Sequence, residues 1–331
     1  MSKLPAMWRR VGTPQSGFSY VRADGSPLRS QAGLARIARL RIPPAWADVE
    51  ISPRSGDKVQ ATGVDAAGRK QYLYHSEFVV RGQRRKFGKL MAFAHTLPQL
   101  REVTDQHLKG EGLGRERVLA TIVRLMVRGF FRVGSERYAV ANKTFGITTL
   151  QKRHLRIQGS DLHFRYVGKK SIDQRQVVAE TPLVAILQEL LEAPGRRLFR
   201  YQDGNGGWKN VSAADVNGYL RDILGERYTS KDIRTWGGTV RAATILADLG
   251  PARSESEAKK NLVLACKLVS AELGNTPAVC RSAYIHPAVL DRYLTGETIA
   301  PKMRQEPRPA KSPTQFYAEE AALMRFLEKS S

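Results

Sequence analysis

The chain has 331 residues, room for two domains, and its 42% hydrophobic content supports a buried core and argues against wholesale disorder. Lys and Arg total 54 against 31 Asp and Glu, a formal charge of +23 that attracts polyanions, with nucleic acid the expected partner. No 18-residue apolar run, no leader-like core in MSKLPAMWRRVG, and no CxxC or HxxxH spacing is found, so membrane insertion, a disulfide framework and a metal site are not expected.

Residues 1–30 read as polar and turn-rich, with Gly12, Pro14, Gly17, Gly25 and Pro27. Over 32–41 (AGLARIARLR), Leu34, Ile37 and Leu40 share a helical face, and Pro43-Pro44 ends that helix. From 45 to 80, WADVEIS, KVQATGV and QYLYHSEFVV read as strands separated by PRSGD and DAAGR. RGQRRKFGK (81–89) carries five positive charges and no negative ones, as a linker or DNA-facing segment would. The spacing then turns helical. KLMAFAHTLPQLREVTDQHL gives one or two helices interrupted by Pro98, and ERVLATIVRLMVRGFF places Val118, Leu119, Ile122, Leu125 and Met126 on one face.

Between 154 and 180, HLRIQ, LHFRYVG and DQRQVVAE read as three strands, with Lys169 at the second turn. Helices resume in TPLVAILQELLEAPG, SAADVNGYLRDILG and SKDIRTWGGTVRAATILADLG, the last starting at a Ser230 cap and weakened at Gly237-Gly238. ESEAKKNLVLACKLVSAELG ends at Gly274, and Thr276-Pro277 starts a short helix that ends at Tyr284. A basic, proline-bearing stretch from 301 leads to an amphipathic FYAEEAALMRFLEK. The expected class is α+β: a small β-rich domain over 1–82, a larger, mainly α-helical domain with a three-stranded β meander over 83–300, and a basic tail over 301–331.

Five residues stand out in their own short stretches: Arg132 in FRVGSERY, Lys169 in YVGKKS, Arg234 in KDIRTWGGT, and Asn275 and Tyr284 in LGNTPAVCRSAYIHP. Together they suffice to attack a phosphodiester without a metal. A tyrosine oxygen attacks phosphorus, two guanidiniums hold the non-bridging oxygens, an amide donates a further hydrogen bond, and a lysine protonates the departing oxygen. Each also has an ordinary reading. Arg132 can close a helix, Lys169 can solvate a hairpin, Asn275 can cap, and Tyr284 can pack in the core. Arg234 is placed in the first turn of its helix, where the dipole disfavours a cation and suits a phosphate, with Lys231 adding charge to the same end.

In this order FFRVGSERY, YVGKKS, KDIRTWG and NTPAVCRSAYIHP resemble the first-arginine, lysine-hairpin, second-arginine and nucleophile motifs of type IB DNA topoisomerases, of the short bacterial kind similar to the poxvirus enzymes. GRKQYLYH resembles that family's DNA-clamping β domain, and the likeness runs from about Ile42 to Tyr293. The 37-residue step from Arg132 to Lys169 also matches. The resemblance implies a tyrosine recombinase/type IB topoisomerase-like catalytic domain and a C-shaped clamp on duplex DNA. It implies Tyr284 as nucleophile through a 3′-phosphotyrosyl link, Arg132 and Arg234 on the phosphorane, and Lys169 as general acid. Asn275 stands where viral and eukaryotic members carry His, so a hydrogen bond remains there but proton transfer does not.

The resemblance further implies relaxation of positive and negative supercoils with no ATP and with Mg²⁺ not essential. The chain has no GxxxxGK[ST] loop, and GNGG at 204–207 reads as a turn. Duplex DNA is the implied partner, with no membrane and no small-molecule substrate. The protein is expected to be a monomer, cytoplasmic and nucleoid-associated in a bacterium. Lys70, Gln71, Tyr72, Tyr74, Arg84, Arg85, Tyr138 and Lys231 are the candidate DNA contacts, although Tyr72 and Tyr74 on one side of a strand also suit a core. Binding is expected to weaken steeply with salt. Two other readings use the same residues. A tyrosine site-specific recombinase shares the catalytic set, but KDIR replaces its usual HxxR. A non-catalytic DNA-binding protein would bind without forming a covalent adduct.

Overall fold

The computed structural model describes residues 7–299 and 317–329, and the chain divides into two compact units between Lys86 and Phe87. The basic, proline-bearing stretch that begins at 301 lies outside the described residues as far as 316.

The first unit is a five-stranded antiparallel sheet in the order β2-β1-β3-β4-β5, formed by Trp8–Thr13 (β1), Gly17–Val21 (β2), Ala47–Ile51 (β3), Val59–Val64 (β4) and Lys70–Tyr74 (β5). The stretch read as turns therefore holds two strands. Their signal is hidden because β1 is exposed along most of its length and gains its partner β3 from more than forty residues away. Helix α1 (Gln31–Leu40) starts at Ser30, whose hydroxyl accepts from Gly33 N at 3.2 Å, and ends at left-handed Arg41. Ile37 joins Leu28, Val49, Ile51 and Ala61 in a small core. Gly63 of β4 is required by packing, since a Cβ there would lie 2.8 Å from the Trp46 ring.

The strand read over QYLYHSEFVV stops at Tyr74, and Ser76–Gly88 forms helix α2, so the basic stretch is mostly helical, and the boundary between the two units falls within it. The β-branched Val79 and Val80 suggest a strand, but both are exposed and gain nothing from a sheet face. Glu77 in the first turn and Arg85 and Lys86 in the last complement the helix dipole.

The second unit is mainly helical. Helix α5 (Arg115–Gly129) is its axis, with Val118, Leu119, Ile122, Leu125 and Met126 all buried. Around it pack α4 (Leu97–Leu108), α8 (Ala213–Leu224) and α9 (Ser230–Leu249), and α3 (Leu90–His95) packs in turn on α4 and α9. Pro98 lies in the first turn of α4, where its missing N–H is harmless. Short α6 (Glu136–Asn142) precedes a three-stranded antiparallel sheet of Leu155–Gln158 (β6), Asp161–Val167 (β7) and Asp173–Ala179 (β8). Leu162, Phe164 and Tyr166 of β7 point into the core. Helix α7 (Thr181–Glu192) and the hairpin β9 (Arg200–Gln202) and β10 (Trp208–Asn210) complete the middle of the unit. Helices α10 (Glu255–Leu273), α11 (Pro277–Ala283) and α12 (Pro287–Leu294) then follow. The last helix, α13 (Ala318–Glu328), buries Leu323, Met324, Phe326 and Leu327 in the same core, so it is part of the helical unit.

Candidate active site

The site is organised by the C-terminal end of α10. That helix stops at Gly274 in the left-handed conformation (φ 60°, ψ 45°), which leaves carbonyls without intrahelical partners at the negative end of the dipole. Two guanidiniums take them. Arg234 Nη2 donates to Leu273 O at 2.8 Å, and Arg132 Nη2 donates to Gly274 O at 2.6 Å. Arg132 Nη2 also donates to Asn275 Oδ1, and Arg234 Nη1 donates to Phe130 O. Phe130 caps α5 in the left-handed region (φ 53°), which turns its carbonyl toward Arg234 two residues before Arg132.

An arginine only donates, so Asn275 must present its oxygen to Arg132 and its amide nitrogen elsewhere. That nitrogen, Asn275 Nδ2, is buried with no hydrogen-bond partner among the described residues, and so is Arg234 Nε. The neighbouring Cys280 thiol is only a weak acceptor. Burial pushes that thiol up to about 11, against the pull of Arg234, Asn275 and Arg132. Burial lowers the pKa of Arg234 itself and Arg132 adds to that shift, while Tyr284 opposes it. Two cations and two unsatisfied buried donors make a site that favours an anion.

Arg234 is not in the first turn of its helix. Thr229 caps α9 in a box with Asp232, and Arg234 is the fifth helical residue. The helix N-terminus is occupied by Asp232, whose carboxylate meets Lys89 Nζ at 2.7 Å, so that end does not offer its N–H groups to a phosphate. Lys89, the last cation of the basic stretch, is thereby engaged inside the protein. Lys231 is exposed at the start of α9.

Tyr284 follows α11 as its cap, with Thr276 Oγ1 starting that helix by accepting from Val279 N at 3.3 Å. Its ring faces the Arg234 guanidinium, with Cζ 5.3 Å from the ring centroid. Its carbonyl accepts from Thr239 Oγ1 at 3.2 Å, and the same hydroxyl accepts from His286 N at 3.1 Å. Gly237 and Gly238 do not weaken α9, which runs unbroken, and both serve close approach. A Cβ on Gly238 would lie 2.9 Å from Tyr284 O, and one on Gly237 would lie 2.1 Å from Phe130 Cε1. Gly237→Ala is therefore expected to destabilise the fold by about 1–3 kcal/mol through overpacking. A urea unfolding midpoint equal to the unsubstituted protein's would contradict this.

Arg132, Arg234, Asn275 and Tyr284 are thus brought together, and Lys169 is not in contact with them. Lys169 lies in the exposed turn between β7 and β8, with no side-chain hydrogen bond or ion pair among the described residues. Of the candidate DNA contacts, Lys70, Tyr72 and Tyr74 line the exposed side of β5, with the two tyrosine rings stacked at 6.1 Å. Their exposures, 47% and 43%, remove them from the core. Gln71 points the other way and donates to Asp65 Oδ2 at 2.8 Å. Arg84 and Arg85 are exposed on α2, and Tyr138 is exposed on α6.

Sequence reasoning missed three residues. Phe130 supplies the carbonyl that fixes Arg234. Tyr166 is buried beside both arginines. Burial pushes its hydroxyl up to about 12 against their pull, and it donates to Gln176 Oε1 at 3.0 Å. Gln174 fills the space between the lysine hairpin and Gly274. Only the glycines Gly168 and Gly274 hint at it in the sequence. Among the described residues no group of three His, Cys, Asp or Glu could hold a metal ion, and no helix is long and apolar enough to cross a membrane.

A family model of the eukaryotic DNA topoisomerase I catalytic core matches residues 75–307, and one of the bacterial DNA topoisomerase IB N-terminal domain matches residues 17–65. The chain is 29% identical over 284 residues to the DNA topoisomerase 1B of Acanthamoeba polyphaga mimivirus, covering 83% of this chain and 84% of that one. It is 22% identical over 268 residues to the DNA topoisomerase 1B of Vaccinia virus (strain Copenhagen), covering 77% and 80% respectively. The catalytic-core match spans well over half of the sequence, and with it the chain belongs to the type IB DNA topoisomerases.

Proposed function

We propose that Tyr284 is the nucleophile of a metal-free transesterification that relaxes DNA. The phenolic oxygen attacks the scissile phosphorus, its proton passing to solvent. The P–O5′ bond breaks, and the Lys169 ammonium gives its proton to the departing 5′ oxygen. The product is a 3′-phosphotyrosyl link and a free 5′-hydroxyl. Arg132, Arg234 and Asn275 donate to the non-bridging oxygens, which carry more charge in the phosphorane than in the diester. Religation is the reverse step. The diester's bond energy is kept in the protein–DNA link, so no ATP is consumed.

The observation that carries this reading is the pair of buried donors beside Tyr284 and Arg132: among the described residues Arg234 Nε has no hydrogen-bond partner, and Asn275 Nδ2 has near it only the weakly accepting Cys280 thiol. Such groups are destabilising unless an acceptor reaches them, and a phosphoryl oxygen is one. In this reading the β-sheet unit and the helical unit close as a C-shaped clamp on duplex DNA. The exposed Lys70, Tyr72, Tyr74, Arg84, Arg85, Tyr138 and Lys231 meet the backbone and grooves, and the enzyme acts as a monomer.

The test is relaxation of negatively and positively supercoiled plasmid in a chelator and without nucleotide. The unsubstituted protein is expected to relax both signs, and Tyr284→Phe neither, with equal duplex binding in a gel shift. Relaxation by Tyr284→Phe, or a requirement for ATP or Mg²⁺, would overturn the mechanism.

A further inference from the structure

The lysine hairpin and the arginine cluster meet at one side chain. Gln174, the second residue of β8, is 5% exposed and lies between two glycines. A Cβ on Gly168, the residue before Lys169, would lie 2.7 Å from Gln174 Cγ. A Cβ on Gly274 would lie 2.0 Å from Gln174 Oε1. Gly274 also sits in the left-handed region, which favours glycine. Gly168 has φ −94°, which any residue adopts, so close approach of Gln174 is the reason for glycine there.

Packing holds this amide more than hydrogen bonding does. Its Nε2 reaches the carbonyls of Ile172 and Asp173 only at 3.5 Å each. The hairpin itself is tightly bent. Gly168 N donates to Ile172 O at 2.8 Å, and Lys170 and Ser171 both sit in the left-handed region (φ 64° and 57°). A turn so constrained moves as one piece, and its contact through Gln174 is with Gly274, whose carbonyl holds Arg132.

We propose that Gln174 is a positioning residue for the proton-transfer step. It seats the Lys169 hairpin on Gly274 and so sets where the ammonium meets the departing 5′ oxygen. It touches neither the phosphate nor the nucleophile, and the bonds made and broken are those of the transesterification above. The proposal rests on Lys169 being the general acid.

The test compares two duplexes, one ordinary and one with sulfur in place of the 5′-bridging oxygen at the scissile phosphate. A thiolate departs without a proton, so the sulfur duplex does not need the acid. Gln174→Ala is expected to slow single-turnover cleavage of the ordinary duplex about 10–100-fold, the scale of an ångström-sized misplacement. It should cleave the sulfur duplex at the unsubstituted rate. Gln174→Met, which keeps the length of the side chain, should recover most of the loss. Gly168→Ala pushes on Gln174 from the hairpin side and should give the same split, which keeps the test open if Gln174→Ala does not fold. Lys169→Ala separates the two readings. If it is rescued by sulfur but Gln174→Ala and Gly168→Ala are slowed equally on both duplexes or on neither, the role of Gln174 is overturned. If Lys169→Ala is not rescued, the general-acid reading fails and this proposal falls with it.

Discussion

Arg234→Ala is expected to slow strand cleavage by at least about 10²–10³-fold, the loss that follows removal of one aimed donor from a developing oxyanion. Two of its nitrogens are tied to Phe130 O and Leu273 O, and its guanidinium faces the Tyr284 ring. The side chain therefore fixes three parts of the site at once: the end of α5 beside Arg132, the end of α10, and Tyr284, the proposed nucleophile. Truncation also leaves two carbonyls without their donor, each worth about 1–3 kcal/mol where water cannot replace it. Arg234→Lys keeps a charge but not the planar fork, and a single ammonium cannot serve both carbonyls and a phosphate. The lysine variant should stay far below the unsubstituted rate. Single-turnover cleavage beside a gel shift reads both effects, with binding little changed because Arg234 is only 4% exposed. Unchanged cleavage by Arg234→Ala would remove this residue from the mechanism.

Glu320→Ala is expected to destabilise the helical unit by about 3–5 kcal/mol, the range for removing one partner of a buried ion pair. Glu320 of α13 is 7% exposed and accepts from Arg101 Nη2 at 2.7 and 2.6 Å. It also accepts from Trp236 Nε1 at 3.2 Å and from Tyr317 N at 3.1 Å. The substitution takes the carboxylate away from a buried guanidinium and unseats the indole two residues beyond Arg234. Glu320→Gln keeps the acceptor for Trp236 and should lose less. Urea unfolding measures both, and a loss below about 1 kcal/mol, the scale of an exposed pair, would show that α13 is not anchored there.

The helices were largely legible because their apolar residues repeat at helical spacing over two or more turns, as in α5, and because Gly250 and Gly274 mark ends. Where local patterning conflicted with pairing, the reading failed. Trp8–Thr13 and Gly17–Val21 look like turns because each is short and carries a glycine, Gly12 or Gly17, at the end where the two meet. Val79 and Val80 look like a strand but lie on an exposed helix face. In the site, residue types and their order along the chain suggest the proposed chemistry, while the supports leave no trace in the sequence. Arg132 meets Gly274 across 142 positions, Arg234 meets Phe130 across 104, and Arg101 meets Glu320 across 219. No periodicity or spacing records contacts of that range. A main-chain carbonyl turned by a left-handed Phe130 carries no side-chain signature at all.

The most direct measurement is to trap and map the covalent complex. A duplex labelled on the 5′ side of the cut is reacted with the protein, quenched in denaturant and digested, and the labelled peptide is identified by mass spectrometry. The mechanism predicts one peptide, containing Tyr284 joined to a 3′ phosphate, with a free 5′-hydroxyl on the other fragment and no adduct from Tyr284→Phe. A link to another residue, or one through a 5′ phosphate, would contradict it.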